Sequence, residues 1–547
     1  MNPAPVTEKH PAAQEAMRRW DDLKTERTRF EQEWEDIARL IRPQRGGFSL
    51  TDHSTRIMEK PLSSAPIVAQ SNFASGLYGT LTNPANRWMG MKTNDADLNA
   101  WKPMADWLDV VTDRILASFQ PSVSPFYSAA TQVFGDLSCF GNAAQYDEVD
   151  TQNRKIMDVT LSLAEVVYDI DAYGRVCEVV RKFHLKPHAA VALFGAAAVP
   201  AKVLELAQKN SNDKHAYFHH VKRNHDWMPR ALGPRGKAWQ SIYACQVGDS
   251  LLRQRGYDEM PFFAPRWEVE SGFVYGTGPG YIALPSARMN QQMDAATLRA
   301  AQRAADPTIL APDRDTWPIN GQVRPGAVVF GGVNPRGEAM LRPFDVVGNI
   351  NLTFAEKQAK IDEIRDAFNY TLMNLAGRTG MTATEVMTIN EERLRLWAPH
   401  MGRVQEEYLA PKIERRFSLL WRNGQIPPPP EGAEGVALQV DYQSAAAMAQ
   451  KSTEGNSALR LIEDLAPLIG IKPRIADRLD DDGLVEVLHA ARGAPSRLLR
   501  SREQADDIAQ MRAQQQQEAQ AMQMAQAGAG ALRDVAGAAQ AMEGGGA

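Results

Sequence analysis

Cysteine is scarce: Cys139, Cys177 and Cys245 are the only three among 547 residues. They stand far apart, with no CxxC pair, which argues against a disulfide framework or a thiolate metal site and for small buried hydrophobes. No apolar run approaches the ~18–20 residues needed to cross a bilayer. The opening MNPAPVTEKHP has no signal-peptide pattern, so the expectation is a soluble protein, intracellular where it is made, with no membrane partner. Positive charge is not in excess either. Lys and Arg number 61 against 66 Asp and Glu, a net charge of −5. That argues against a broad basic surface gripping nucleic acid, though not against a protein that DNA merely passes.

Nucleotide and hydrolase signatures are also missing. No GxxxxGK[ST] occurs, since Gly236-Lys237 is followed by alanine, and no GxSxG elbow is present. YGTGPG, residues 275–280, carries Gly276, Gly278 and Gly280, a spacing that does not fit GxGxxG. Its glycines and Pro279 suit a stiff turn leading into a helix better than a phosphate cradle. His215, His219, His220 and His225 crowd together, but in a segment that reads as extended, with no HExxH. A solvated or core-edge strand is favoured, and a zinc-dependent hydrolase is kept as the enzyme alternative. DDDG at 480–483 lacks the alternating ligand spacing of a calcium loop and suits a helix cap. No catalytic, cofactor-binding or metal residue is assigned.

What is present is helix, interrupted by one strand-rich region. Hydrophobic residues make up 44% and charged residues 23%, an ordinary globular balance in a chain long enough for several domains. Trp20, Leu23, Arg27, Phe30, Trp34, Ile37 and Ile41 recur at steps of three and four and predict one helix face ending before Pro43. Further helices are predicted over 65–82, 103–119 and about 125–138. From about 145 to 275 the runs MDVTLSLAEVVYDID, VCEVVRKFHL, AYFHHVKRN, SIYACQV and FFAPRWEVE predict strands, with AKVLELAQKN as a helix among them. A helix over 286–305 ends at Pro307, and a turn-rich, β-prone insert fills 307–345. A second long helix follows over about 347–376, with Ile350, Phe354, Ile361, Ile364, Phe368, Leu372 and Leu375 in a near-heptad stripe. Thr382 to Glu385 fits a capping box, and Pro399 and Pro411 are expected to bend or break the next helix. A smaller helical segment spans 443–510, and a Gln/Ala/Gly-rich tail closes the chain. The fold class is α+β, mostly helical.

Four blocks, in order, resemble one family. They are FASGLYGTLTNPANRWMGM (73–91), WLDVVTDRILASFQPSVSPFYSAATQVFGDLSCFGNAA (107–144), RWEVESGFVYGTGPGYIALPSARMN (266–290), and TGMTATEV (379–386) with EEYLAPKIERRFSLLWRNGQIP (406–427). The chain resembles the head-to-tail connector, or portal, proteins of short-tailed bacteriophages. The resemblance implies a dodecameric homo-oligomeric ring around a channel, at one capsid vertex of the virion, assembled in the host cytoplasm. It implies a wing region over 1–285, stem helices over 286–306 and 346–376, a clip over 307–345, a channel loop and bent wing helix over 377–442, a crown over 443–510 and a tail over 511–547. Partners would be the major capsid protein and scaffold, terminase during packaging, tail adaptor or nozzle proteins afterwards, and double-stranded DNA passing through. Such a ring needs no cofactor and does no bond chemistry. Candidate docking residues on the clip are Arg314, Trp317, Arg324, Phe330 and Arg336. Stem or subunit packing falls to Ile361, Ile364, Phe368 and Leu372, and the channel loop would carry Arg378, Thr379 and Met381. Another virion structural protein, a capsid or tail-adaptor subunit, is the alternative.

Overall fold

The computed structural model describes residues 9–48, 50, 60–150, 155–305, 309–310, 334–338, 342–343, 350–370, 397–433, 435–442, 455, 457–467, 479–492, 498–500 and 504–522. The chain forms two compact units, one of residues 1–88 and 115–422, the other of 89–114 and 423–547.

The first unit is organised by a five-stranded antiparallel sheet in the order β4-β5-β6-β7-β8. Its strands are Val166–Ile170 (β4), Val176–Leu185 (β5), His215–Arg223 (β6), Trp239–Cys245 (β7) and Ser250–Tyr257 (β8). Both faces are covered. Side chains alternate across a strand, so Val180, Ala216, Phe218 and Ala244 face one way and Phe183, Tyr217 and Cys245 the other. The first face packs on helix α1, Pro11–Ile41, through Ala13, Trp20 and Leu23. The second is capped by two short helices, Pro187–Phe194 and Ala201–Gln208, through Ala190, Phe194 and Val203. Each large apolar side chain buried this way contributes ~1.5–3 kcal/mol.

Helix α1 begins well before the stripe that predicts it. Pro11 occupies its first turn and His10 caps it, Nδ1 accepting from the Ala12 amide at 3.2 Å. Its first buried residues, Ala13 and Ala16, are too small to write a hydrophobic period, yet they bring the helix close to the sheet. Arg27 sits inside the apolar stripe because its guanidinium donates to the carbonyls of Leu163 (2.6 Å) and Val166 (2.8 Å) and pairs with Glu31.

Beside the sheet lie helices α2 (Ala65–Leu81) and Phe126–Phe140, and a hairpin of β2 (Ala144–Asp150) with β3 (Lys155–Leu161). Of FFAPRWEVE only Phe262–Phe263 is a strand, pairing with β2. Pro265 offers no donor, and the Arg266 amide is taken by a Glu407 carboxylate at 2.9 Å. The helix expected from 286 starts at Pro279 and passes through Pro285 to Ala305. Proline there forfeits one backbone bond, and burial of Ala283, Leu284 and Ala287 around it offsets that loss. The following long helix, Ile350–Ala367, meets a turn whose Asn369 has φ 48°; residues 371–376 of the predicted helix lie outside the described residues. Residues 397–422 stay helical past both prolines. Ahead of Pro411 the chain widens into a π turn, Gln405–Leu409, where the Ala410 amide bonds back to Gln405. One wide turn accommodates the missing donor without breaking the axis.

In the second unit Met89–Thr93 pairs antiparallel with Leu438–Tyr442, and Trp107 Nε1 donates to Pro427 O at 2.9 Å. Helices run over 457–467, Asp481–Arg492 and 504–522. Gly483 N donates to Asp480 Oδ1 at 3.0 Å, so the acidic run caps a helix. The capping box at Thr382–Glu385 lies outside the described residues.

Candidate functional site: a glycine joint, a helix pair and a charged cleft

The glycines of YGTGPG face protein backbone. A Cβ at Gly276 would lie 2.5 Å from Glu268 O, at Gly278 2.7 Å from Leu137 O, and at Gly280 2.2 Å from Cys139 O. Opposite stands Gly141, the left-handed C-cap of the helix Phe126–Phe140, with φ 67°. Asn142 ties the two segments, donating to Gly276 O (2.7 Å) and accepting from Gly276 N (2.8 Å) and Tyr168 Oη (2.9 Å). Only glycine allows this approach. The segment is a welded joint from which the helix Pro279–Ala305 departs.

That helix and Ile350–Ala367 pack against each other. Ser286 Oγ donates to Glu363 at 2.5 Å, and Lys357 pairs with Asp294. Ile364 and Phe368 are fully buried, and Ile361 is half-buried. Phe368 meets Phe73 of α2 at 6.1 Å between centroids, and Phe73 also meets Trp267 (5.6 Å) and Trp397 (5.4 Å). Leu372, Arg378, Thr379 and Met381 lie outside the described residues, as do Arg314, Trp317, Arg324 and Phe330. Within 307–345, Ile309–Leu310 pairs with Arg342–Pro343. Arg336 is exposed in a turn where its amide donates to Asn334 Oδ1 at 2.9 Å.

Two charge networks, neither anticipated from sequence, anchor the helical segment 397–422. Arg266 grips Glu407 in the π turn with Nη2 to Oε1 at 2.6 Å and Nε to Oε2 at 3.1 Å, and also donates to Gly174 O at 2.6 Å. Beside it Trp267 stacks on His400 at 4.7 Å. One turn further, Lys412 is wholly buried between Asp147 of β2 and Asp158 of β3, with Gln145 at 3.1 Å. Arg416 and Ser124 close on Asp158 as well. Burial pushes the Asp147 carboxyl up to about 6, Lys412 opposing. Burial acts the same way on Asp158, but Lys412 and Arg416 outweigh it and hold that carboxyl below the usual range. These cations share the buried side of the helix Ala410–Arg422 with Ile413 and Leu420. A periodicity reading assigns charge to solvent, so the only usable signal was cations at the apolar spacing.

Between the β4–β5 turn and the segment around Phe273 lies an open cleft of about 910 Å³ with the Arg266–Glu407 pair in its wall. Tyr173, Arg175, Glu270, Phe273, Arg403 and Glu406 also line it.

The histidines do not converge. Neighbours on one strand, His219 and His220 point to opposite faces. His219 stacks on Tyr243 at 3.9 Å and bonds Ser241 at 2.9 Å, and burial holds its imidazole well below the usual range. His220 bonds Glu178 at 2.6 Å. Among the described residues no His, Cys, Asp and Glu group suits a metal ion. The zinc-hydrolase reading therefore loses the cluster on which it stood. Burial pushes the Cys139 thiol up to about 12 and Cys245 up to about 11, the state of inert core thiols.

The portal protein of Salmonella phage epsilon15 is 29% identical over 510 residues, 90% of each chain. The probable portal protein of Bordetella phage BPP-1 is 27% identical over 517 residues, 91% of each chain. A solved chain from the neck of an empty GTA particle aligns at 11% identity with a TM-score of 0.35, over 72% of this chain and 86% of that one. Residues 13–499 match the bacteriophage head to tail connecting protein, and the chain belongs to that family.

Proposed function

We propose that this chain is a portal subunit: copies close into a ring, dodecameric in the virion, at one vertex of a bacteriophage head. Through the ring the genome is packaged and later ejected. The observation that carries this reading is a family match across almost the whole chain, with relatives named as portal proteins. The packed helices Pro279–Ala305 and Ile350–Ala367, rooted on the glycine joint, suit a stem pair. The segment 307–345 between them is the clip. It docks terminase during packaging and tail proteins afterwards, with Arg314, Trp317, Arg324, Phe330 and Arg336 as contacts. The channel loop opens the segment 377–442 and carries Arg378, Thr379 and Met381. The role is structural, and a separate motor supplies the work. Duplex DNA carries a phosphate charge every ~1.7 Å, so an unbroken basic lining would act as a brake, and the net charge of −5 agrees with a passage rather than a grip.

Electron micrographs of the purified protein test the ring directly. Closed rings with a central hole are expected, and monomers alone across a wide concentration range would refute the reading. For the clip, Arg314→Ala and Trp317→Ala are expected to weaken terminase binding while rings still form. Unchanged terminase binding in both would remove these contacts.

A further inference from the structure

The β6–β7 end of the five-stranded sheet concentrates positive charge in a chain whose net charge is −5. Residues 222–237, KRNHDWMPRALGPRGK, hold five Lys and Arg against one Asp. Two of these cations are engaged within the fold, Lys222 with Glu15 and Lys237 with Asp258. Arg223, Arg230 and Arg235 are exposed and form no ion pair among the described residues. Arg255 of β8 is exposed and unpaired in the same sense. The register sets Arg223 opposite Trp239 and Trp239 opposite Tyr257, so Arg223 and Arg255 share one face of the sheet, ~12 Å apart. The carboxylates at this end are already held. Asp258 meets Lys237 and Arg422, Glu259 meets Arg422 and Arg415, and Glu148 meets the hydroxyls of Tyr146 and Tyr257. Asp226 is the exposed acid of the loop itself. Glu270 and Glu406 line the cleft by the β4–β5 turn, a connection two strand spacings away, ~10 Å or about one Debye length at 0.1 M salt. The potential over the loop is therefore positive.

The loop is also an ordered mount. Asn224 Nδ2 donates to Pro234 O (3.2 Å) and Lys237 O (2.9 Å), and Met228 N donates to Arg235 O (2.9 Å). The Arg223 guanidinium lies over the Trp239 ring, 5.8 Å from its centroid. Left-handed backbone at Arg230 (φ 69°) and Gly233 (φ 77°) turns Leu232 outward, 98% exposed, between the two loop arginines. Cations on a preorganised frame lose little ordering entropy when they bind. All four free cations are arginines, whose planar forks match phosphate oxygens. An apolar tip flanked by arginines suits the minor groove of a duplex, where Leu, Met and Pro side chains contact base steps while cations hold the backbones.

We propose that the β6–β7 loop is a binding site for duplex DNA, with Arg223, Arg230, Arg235 and Arg255 on backbone phosphates and Leu232 at the groove between them. The proposal rests on the portal reading for its partner, and adds a contact apart from the channel. The loop belongs to the sheet, not to the helix pair Pro279–Ala305 and Ile350–Ala367. A basic lining would brake DNA in motion, so a basic loop outside that pair suits DNA at rest. Full-length protein is titrated into a fluorescein-labelled duplex of about 30 bp, at roughly 50 to 200 mM salt, with anisotropy as the readout. Each phosphate contact contributes ~0.9 to the slope of log affinity against log salt. Arg223→Ala with Arg230→Ala and Arg235→Ala should lower that slope by about 2.7 and weaken binding roughly 500-fold at 0.1 M salt. Lysine at the same three positions should retain most of the slope, and Leu232→Ala should weaken binding without moving it, because it removes no charge. Far-UV circular dichroism and light scattering check that fold and assembly state are unchanged. Wild-type protein that leaves the duplex free at the lowest salt, or a triple alanine variant with the wild-type slope, would overturn the site; normal rings in micrographs would then leave the portal reading standing. A triple lysine variant that loses binding as alanine does would also overturn it, since charge would not be what binds. So would variants that bind duplex normally but fail to join heads, which would place the loop on an acidic protein surface. Micrographs without rings would refute the portal reading and leave the anisotropy to decide the loop.

Discussion

Lys412→Met is the sharpest test of the buried charge core. Lys412 has no exposure and lies between two carboxylates that are also unexposed. Methionine keeps the stem and the packing against Phe263, and removes only the charge. Asp158 retains Arg416, whereas among the described residues Asp147 keeps the weaker pull of Arg415, at 4.0 Å, and of Arg416. Breaking a buried pair from one side costs about 3–5 kcal/mol. At roughly 2 °C per kcal/mol in a unit of this size, the main thermal transition should fall by about 6–10 °C. The loss should depend on pH. Asp147 is already pushed up to about 6, and without Lys412 it rises further. A carboxyl raised in the folded state contributes stability that is present at low pH and lost as pH climbs through its folded value. The defect should therefore be larger at pH 8 than at pH 5, and Asp147→Asn added to Lys412→Met should recover most of it. The assay is thermal unfolding followed by tryptophan fluorescence at both pH values. A single variant within 1–2 °C of wild type at both (on the order of the spread expected of neutral surface changes), or a double variant no better than the single, would refute the account.

Glu178 lies between Arg19 and His220; burial pushes its carboxyl up, but these partners outweigh it and hold it down at about 2. Its stabilisation, at most ~3 kcal/mol, is present above the unfolded carboxylate range and fades as pH falls from about 4.5 towards 2, so Glu178→Gln should flatten the acid limb of a stability–pH curve. Two glycines should respond with opposite signs in urea unfolding. Gly278→Ala meets backbone atoms of Leu137 and Gly141 within 2.8 Å and should destabilise by about 1–3 kcal/mol, whereas Gly79→Ala, in helix α2 with nothing within 4 Å, should stabilise by ~0.5–1 kcal/mol. Ile364→Asp places a carboxylate at a fully buried site in the helix pair and should cost several kcal/mol; rings of normal number and thermal stability would show that Ile364 is dispensable to the packing.

Elements whose evidence is local were legible before any packing was known. The stripe from Trp20 to Ile41, the helix ending at LTNP and the β-branched runs around 155–185 are periodic over many residues, so their type survives any packing. Four ordered blocks were enough to place the family, and all four supply contacts that now carry the core. Phe73 comes from the first, Ser124 and Asn142 from the second, Arg266 and Trp267 from the third, and Glu407, Lys412 and Arg416 from the fourth. Why those residues matter emerges from contacts between distant parts of the chain. Glu407 lies 141 residues from Arg266, and Lys412 lies 265 residues from Asp147. No periodicity relates positions so distant, and a lysine or arginine on a helix reads as solvent-facing until its partners arrive from another strand. The same holds for YGTGPG. Its spacing argued against a phosphate loop, but its role came from the C-terminus of another helix pressing against Gly278 and Gly280, with Glu268 against Gly276. It holds too for Pro285 and Pro411, where burial of neighbours and one widened turn kept helices intact through residues that local rules treat as breaks. Local propensity is a preference of about 3 kcal/mol at most per residue, and packing and buried charge outbid it where they converge.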